Sequence, residues 1–386
     1  MLVGGFGVGR WFGFRIRIDY SWFVVFALVL WTFSAWEFPV RLPGLDPWVY
    51  GAMGTAGAAL FFLSVLLHEL SHAAMARARG VEVEGITLFI FGGVAQMRME
   101  ARRPADEFLI TAVGPLSSLV LSGTFALAAA AIRSFGGAEI LAVVADFLAI
   151  LNLVLALFNL VPAFPLDGGR ILRSAVWQAT GDLARATRWA AMGGRVFGFF
   201  LMFAGFLLAV SGYLLSGVWA GFLGWFLANA AVSSLRGFVM RRALAGVPVS
   251  RLLRSPSPSV EADVPASEAA RVFLGVTPDA LPVTRGDRAV GLLALSRVAQ
   301  LDDAARRRTP VSAIMTPLAD LPRARPEEAL DRVIGRMEGS EARILVIDED
   351  RLVGTIGLAE IRAWAERSVR LDIAEGGDRP RNGGDG

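Results

Sequence analysis

Both histidines of this 386-residue chain lie four apart in one apolar run, "LLHELSHAAMA", residues 66–76. His68, Glu69 and His72 spell H-E-x-x-H. On a helix, positions i and i+4 share a face. Two imidazole nitrogens then converge on one point, an arrangement that suits a Zn²⁺ ion. Zinc held there polarises a carbonyl and lowers the pKa of water toward 7. Glu69, beside the first histidine, is placed to act as general base and then to return the proton to a leaving amine. A catalytic zinc needs a third protein ligand and an open position. With no other histidine and no cysteine in the chain, that ligand must be a carboxylate. Asp167, in "FNLVPAFPLDGGR", is the leading candidate. Pro162 and Pro165 stop the preceding helix, and Gly168-Gly169 let the backbone approach closely. Two alternatives stay open: Asp167 as the cap of the helix that follows, and Asp146 as a rival acid nearer the opposite membrane face, where it is better placed to pair with a neighbouring helix.

The same inventory excludes other chemistry. Without cysteine there are no disulfides and no thiolate nucleophile. A serine–histidine dyad needs a histidine outside the metal motif, and none exists. An aspartyl protease needs two membrane aspartates, and the nearest G-x-G-D-like match, "GGDG" at 383–386, falls in the terminal tail.

The elements that must position these groups are largely membranous. The chain is 54% apolar and only 19% charged, with mean hydropathy +0.53, against about 25% charged residues in soluble domains. Six apolar stretches approach membrane-spanning length, at about 19–36, 50–76, 107–132, 138–162, 195–215 and 217–236. The last two, parted by little more than "LSG", predict a tight helical hairpin. Two histidines and a glutamate inside an apolar span are costly unless they pair or bind something, which strengthens the metal reading. All the basic side chains are arginine, and a net charge of +3 fits the flanks of membrane helices rather than a nucleic-acid surface. Arg10, Arg15 and Arg17, then Arg77 and Arg79, then Arg170, Arg173, Arg185 and Arg188, and finally Arg236, Arg241 and Arg242 mark one side. Arg41 and Arg133 mark the other. The positive-inside rule puts both termini, and the ends of spans two and four, in the cytoplasm. The N-terminal "GFGVGRWFGFRIRIDYSW" reads as an aromatic interface segment rather than a cleavable signal. Between spans two and three, "VEVEGITLFIFGGVAQMRME" reads as a β-hairpin turning at Gly92-Gly93. Its edges must be paired or covered if it enters lipid.

After residue 243 the composition turns charged and soluble in character. Two segments of roughly 60 residues, each opening on "PVS" and closing on a "VGLL" or "VGTI" strand, form an internal repeat. The expected organisation is a transmembrane domain over 1–243, an α/β repeat pair over 247–372 and a disordered tail over 373–386.

"HELSH", "FGGVAQM", "AVGPLSSLV" and "FNLVPAFPLDGGR" together resemble the site-2 protease family of intramembrane zinc metalloproteases. The C-terminal repeat resembles a tandem of cystathionine-β-synthase (CBS) domains, and the combination is similar to the six-span, CBS-bearing prokaryotic branch. The resemblance implies a polytopic α-helical membrane protein with six transmembrane helices, a membrane-associated β-hairpin and a C-terminal tandem CBS domain. It implies zinc on His68, His72 and Asp167, Glu69 as catalytic base, and Asn159 near the site. It implies that Gly92 and Gly93 sit in the hairpin that handles the substrate strand, and that Gly114-Pro115 pack beside the active helix. The expected activity is cleavage within or beside a transmembrane helix of a membrane protein, such as a membrane-tethered transcriptional regulator, in the prokaryotic cytoplasmic membrane. Nucleotide-holding CBS domains often end in a motif that "GLLALSRV" and "GTIGLAEI" only partly match. The first repeat has Ala294 and Arg297 at the ribose- and phosphate-contacting positions, the second Gly357 and Glu360. Only Glu360 keeps a carboxylate for an adenine nucleotide, so the pair is equally read as a homo-oligomerisation or docking module. A rival function is a CBS-regulated metal transporter or channel, with the histidines binding the cargo.

Overall fold

The computed structural model describes residues 4–89, 92–97, 101–253, 258–275, 279–334, 336–337, 343–349 and 351–374. Its contacts divide the chain into two units, Met1–Leu235 and Arg236–Gly386. Most of the tail expected to be disordered lies outside the described residues.

Among the described residues, six helices are long and apolar enough to cross a membrane. They are α1 (Ser21–Arg41), α2 (Pro47–Ala78), α3 (Pro104–Ser134), α4 (Glu139–Asn159), α6 (Leu183–Val210) and α7 (Leu214–Leu244). A seventh, short and amphipathic helix, α5 (Asp167–Thr180), follows α4. Two boundaries differ from expectation. Helix α6 starts well before residue 195, because the Asp182 carboxylate caps it by accepting from the N–H groups of Ala184 (2.8 Å) and Arg185 (3.1 Å). The final hairpin turns at Ser211–Tyr213 rather than at "LSG", since Gly212 supplies the left-handed conformation (φ +96°) that the turn requires.

The N-terminal segment also departs from expectation. It forms two strands, β1 (Gly5–Trp11) and β2 (Phe14–Asp19), which join the expected hairpin β3 (Val83–Phe89) and β4 (Gly92–Met97) in a four-stranded sheet of order β1-β2-β3-β4. Strand β2 runs parallel to β3, with Ile16 opposite Ile86, so one edge of the hairpin is paired. The cause is a period-two pattern: Phe14 and Ile16 are buried while Arg15 and Arg17 are exposed. Phe14, Ile16, Ile86 and Leu88 pack on Leu66, Leu70 and Ala73, one face of α2. At the end of α2 the Arg77 guanidinium lies 4.1 Å from the Phe14 ring centroid and donates to the Phe12 carbonyl at 3.0 Å, tying the new hairpin to that helix.

In the second unit the repeat is visible as two β-α-β-β-α copies. The first has β5 (Val260–Glu261), helix Ala266–Leu274, β6 (Ala280–Arg285), β7 (Arg288–Ala294) and helix Leu295–Ala299. Strand β8 (Thr316–Pro317) pairs with β7. The second copy has β9 (Arg323–Ala324), helix Leu330–Ile334, β10 (Arg343–Asp348), β11 (Arg351–Gly357) and helix Leu358–Ala374. In each copy a parallel pair (β5 with β6, β9 with β10) adjoins an antiparallel hairpin. The two hairpins meet through β7 and β11 in one seven-stranded sheet. This is the α/β tandem expected of a CBS pair. Each copy has its own core, around Leu281, Val283 and Leu293 in the first and around Leu330, Ile344 and Ile356 in the second.

Candidate metal centre

His68 and His72 fall one turn apart on α2 and are both buried. The Nε2 atoms are 3.2 Å apart. Asp167 reaches them from α5: its Oδ2 lies 3.1 Å from His68 Nε2 and 3.2 Å from His72 Nε2. Its side chain is 14% exposed, against 5% and 6% for the two histidines.

The local chain explains how Asp167 arrives there. It is the first residue of α5, preceded by Leu166, and the helix start has no side-chain cap. The carboxylate turns to the histidines instead of capping, which answers the first alternative. The backbone must be tight for this. A Cβ at Gly168 would overlap the carbonyl oxygens of Leu160 and Val161, and one at Gly169 would fall 2.5 Å from Phe164 N. Glycine at both positions lets α5 start directly against the loop that leaves α4. That loop is held in turn by the Phe164 N–H donating to the Ala190 carbonyl on α6 at 3.2 Å.

The far sides of the imidazoles are fixed by α3. His72 Nδ1 lies 2.7 Å from the Ile110 carbonyl oxygen, which can only accept, so this nitrogen carries a proton. His68 Nδ1 lies 2.9 Å from Ser118 Oγ. In the neutral His72 ring Nε2 is then a bare lone pair, aimed at another ring nitrogen and a carboxylate oxygen. Three potential ligand atoms this close suit a shared cation. Ligands 2.0–2.2 Å from a tetrahedral zinc are about 3.3 Å from one another, close to the observed triangle. Among the described residues these three form the only cluster of histidines and acids with ligand atoms mutually within 4.8 Å. Gly114 leaves the space open, since a Cβ there would overlap the Nε2 and Cε1 atoms of His72. The residues fit zinc.

Glu69 projects next to the pair, half-buried. The start of β4 passes over it: a Cβ at Gly93 would overlap Glu69 Cγ and fall 3.3 Å from Oε1. Gly92 has φ +121°, a conformation open to glycine. Both glycines thus lie in strand β4, opposite Phe89 and Leu88, rather than at the turn expected of them, and Gly93 leaves room for Glu69. The Asn159 amide donates to the Leu155 carbonyl one turn back at 3.0 Å. Asp146 accepts from Arg133 at 2.6 Å, the neighbouring-helix pairing that its position suggested. Sequence reading missed Ser118 and the Ile110 carbonyl. The signal for them was a buried 3–4-spaced stripe on α3, Glu107, Ile110, Thr111, Gly114 and Ser118.

The model of peptidase family M50 matches residues 56–141 and 136–204, a range that holds all four site residues. The chain is 36% identical over 358 residues to Rip3 of Mycobacterium tuberculosis, named as a zinc metalloprotease, covering 92% of this chain and 91% of the relative. It is similar to a solved site-2 protease of Methanocaldococcus jannaschii (25% identity, 60% of this chain, 96% of that one, TM-score 0.40). It is also similar to the CBS domain of a Sphaerobacter thermophilus membrane protein (21% identity, 34% of this chain, 96% of that one, TM-score 0.28). The sequence left hydrolysis and metal transport as rivals. The full-length likeness to a zinc metalloprotease decides for hydrolysis: the chain belongs to peptidase family M50 and is an intramembrane zinc metalloprotease that acts on membrane proteins.

Proposed function

We propose that His68, His72 and Asp167 hold the zinc and that Glu69 is the general base. The observation that carries this is the triangle of three ligand atoms 3.1–3.2 Å apart, a spacing that suits a shared cation. When bound, zinc supplies Lewis-acid polarisation of the scissile carbonyl and activation of water. The chain's own residues do the rest. Glu69 takes the proton from the attacking water and delivers it to the departing amide nitrogen. The Ile110 carbonyl and Ser118 fix the ring orientations. That β4 is the terminal strand of the sheet and starts beside Glu69 supports presentation of the substrate as an added, extended strand, because a helical segment hides its peptide bonds. The arginine distribution supports cytoplasmic termini in a cytoplasmic membrane, with release of a cytoplasmic fragment, for instance a tethered transcriptional regulator. Co-expression with single-span candidate substrates tests this reading. The wild type should cleave and the Glu69→Gln form should not, while both retain zinc. Cleavage by Glu69→Gln at the wild-type rate would remove Glu69 from the mechanism.

For the C-terminal pair, one observation favours docking or self-association over nucleotide binding. The Glu360 carboxylate is already engaged, with Oε1 accepting from Arg343 at 2.7 Å and Oε2 from the Gly357 N–H at 2.9 Å. A ribose hydroxyl would have to share the carboxylate with both donors. Isothermal titration with ATP and AMP tests this, and saturable binding that Glu360→Ala abolishes would reverse it.

A further inference from the structure

Glu107, in the first turn of α3, is 1% exposed. Arg173, on α5, is 8% exposed and donates to Glu107 Oε1 through Nε at 2.7 Å and through a terminal nitrogen. Its guanidinium carbon lies 5.4 Å from the Phe164 ring centroid. Arg170, one turn earlier on α5, places its Nε 3.8 Å from the same Glu107 oxygen. Two arginines of one short helix thus grip a single buried carboxylate of another.

The location gives this grip its meaning. Glu107 opens the buried stripe of α3 whose next members are Ile110, which fixes His72, Gly114, which clears the space beside the rings, and Ser118, which touches His68. Arg173 sits six residues after Asp167 on a helix whose N-terminal residue is that aspartate. One helix therefore orients both imidazoles and, through Glu107, anchors the helix that brings the carboxylate. Two guanidinium N–H groups converging on one carboxylate oxygen fix direction as well as distance, which a single ammonium does not. Removing a buried pair in favour of apolar side chains often leaves stability intact, so stability alone does not explain why an acid stands here.

We infer that Glu107 and Arg173 are positioning residues, an α3–α5 clamp that sets the distance of Asp167 from the two histidines. The inference rests on the proposed ligand set and extends it beyond the residues that meet the metal.

The test uses the full chain, purified in detergent, with zinc affinity read by competition with a chelator and melting temperature read on the zinc-free protein. Three variants are compared: the double Glu107→Leu/Arg173→Leu, Arg173→Lys, and Asp167→Asn as control. A clamp predicts that the double variant melts near the wild type but binds zinc about 10–100-fold more weakly, as displaced outer contacts do. Arg173→Lys, which keeps the charge and loses the fork, should fall between. Wild-type zinc affinity in the double variant, whatever its melting temperature, overturns the inference. If the double variant does not fold, Arg173→Lys decides, and wild-type affinity there overturns it equally. Asp167→Asn separates the two layers: if it binds zinc normally, the ligand assignment fails, whereas if it alone loses zinc, only the clamp fails.

Discussion

Two carboxylates of this chain show what distinguishes a site from a satisfied side chain. Asp167 meets two imidazole nitrogens, and the proton of at least one ring, His72, is committed to a carbonyl behind it. Glu360 meets donors on both of its oxygens, Arg343 and the Gly357 N–H. Both belong to motifs that family resemblance marks as ligand-binding. The first faces two imidazole nitrogens that could share a cation with it; the second already has a donor on each oxygen. Burial pushes the Glu360 carboxyl up, but the Arg343 guanidinium outweighs it and holds the group below its ordinary value of 4.5.

The comparison breaks most decisively at the metal. Asp167→Asn and His72→Ala should each abolish zinc retention and proteolysis, measured by metal content and substrate cleavage. Equivalent replacement of Glu360 should leave both at wild-type levels. Glu69→Gln should keep zinc and lower the cleavage rate by about 10²–10⁴-fold, the usual contribution of a general base. Gly114→Ala should weaken zinc binding although no ligand is replaced, because its methyl group overlaps His72; the chelator competition assay reads this directly. The smallest effect belongs to the C-terminal unit. A carboxylate held below its unfolded value stabilises the fold above that value and loses the contribution as pH falls through the folded one. Melting of the unit should therefore weaken below about pH 4.5, and Arg343→Gln should flatten that dependence. The Glu360 side chain is 45% exposed, so solvent screening limits the pair to about 0–1 kcal/mol.

Much of this site was legible in the sequence because its signals are local. H-E-x-x-H fixes two nitrogens through helix periodicity alone, and the paired glycines after Asp167 announce the close approach that the structure shows at Leu160, Val161 and Phe164. The scarcity of histidine made the choice of a third ligand nearly forced. The N-terminal hairpin was misread because its aromatic and glycine content suits a membrane interface as well as a strand; the alternation Phe14-Arg15-Ile16-Arg17 carried the answer, but parallel pairing with β3 is a long-range event that no local window displays. The Glu107–Arg173 pair was hidden for the same reason. Sixty-six residues separate its members, and each alone looks like a charge flanking a membrane helix.

X-ray absorption at the zinc edge of the Glu69→Gln protein tests the central claim most directly. The account predicts one zinc per chain with two imidazole nitrogens and a carboxylate oxygen at about 2.0–2.2 Å, and loss of that signal when Asp167 and His72 are replaced. A zinc shell that is unchanged by those replacements, or one without imidazole scattering, would contradict it.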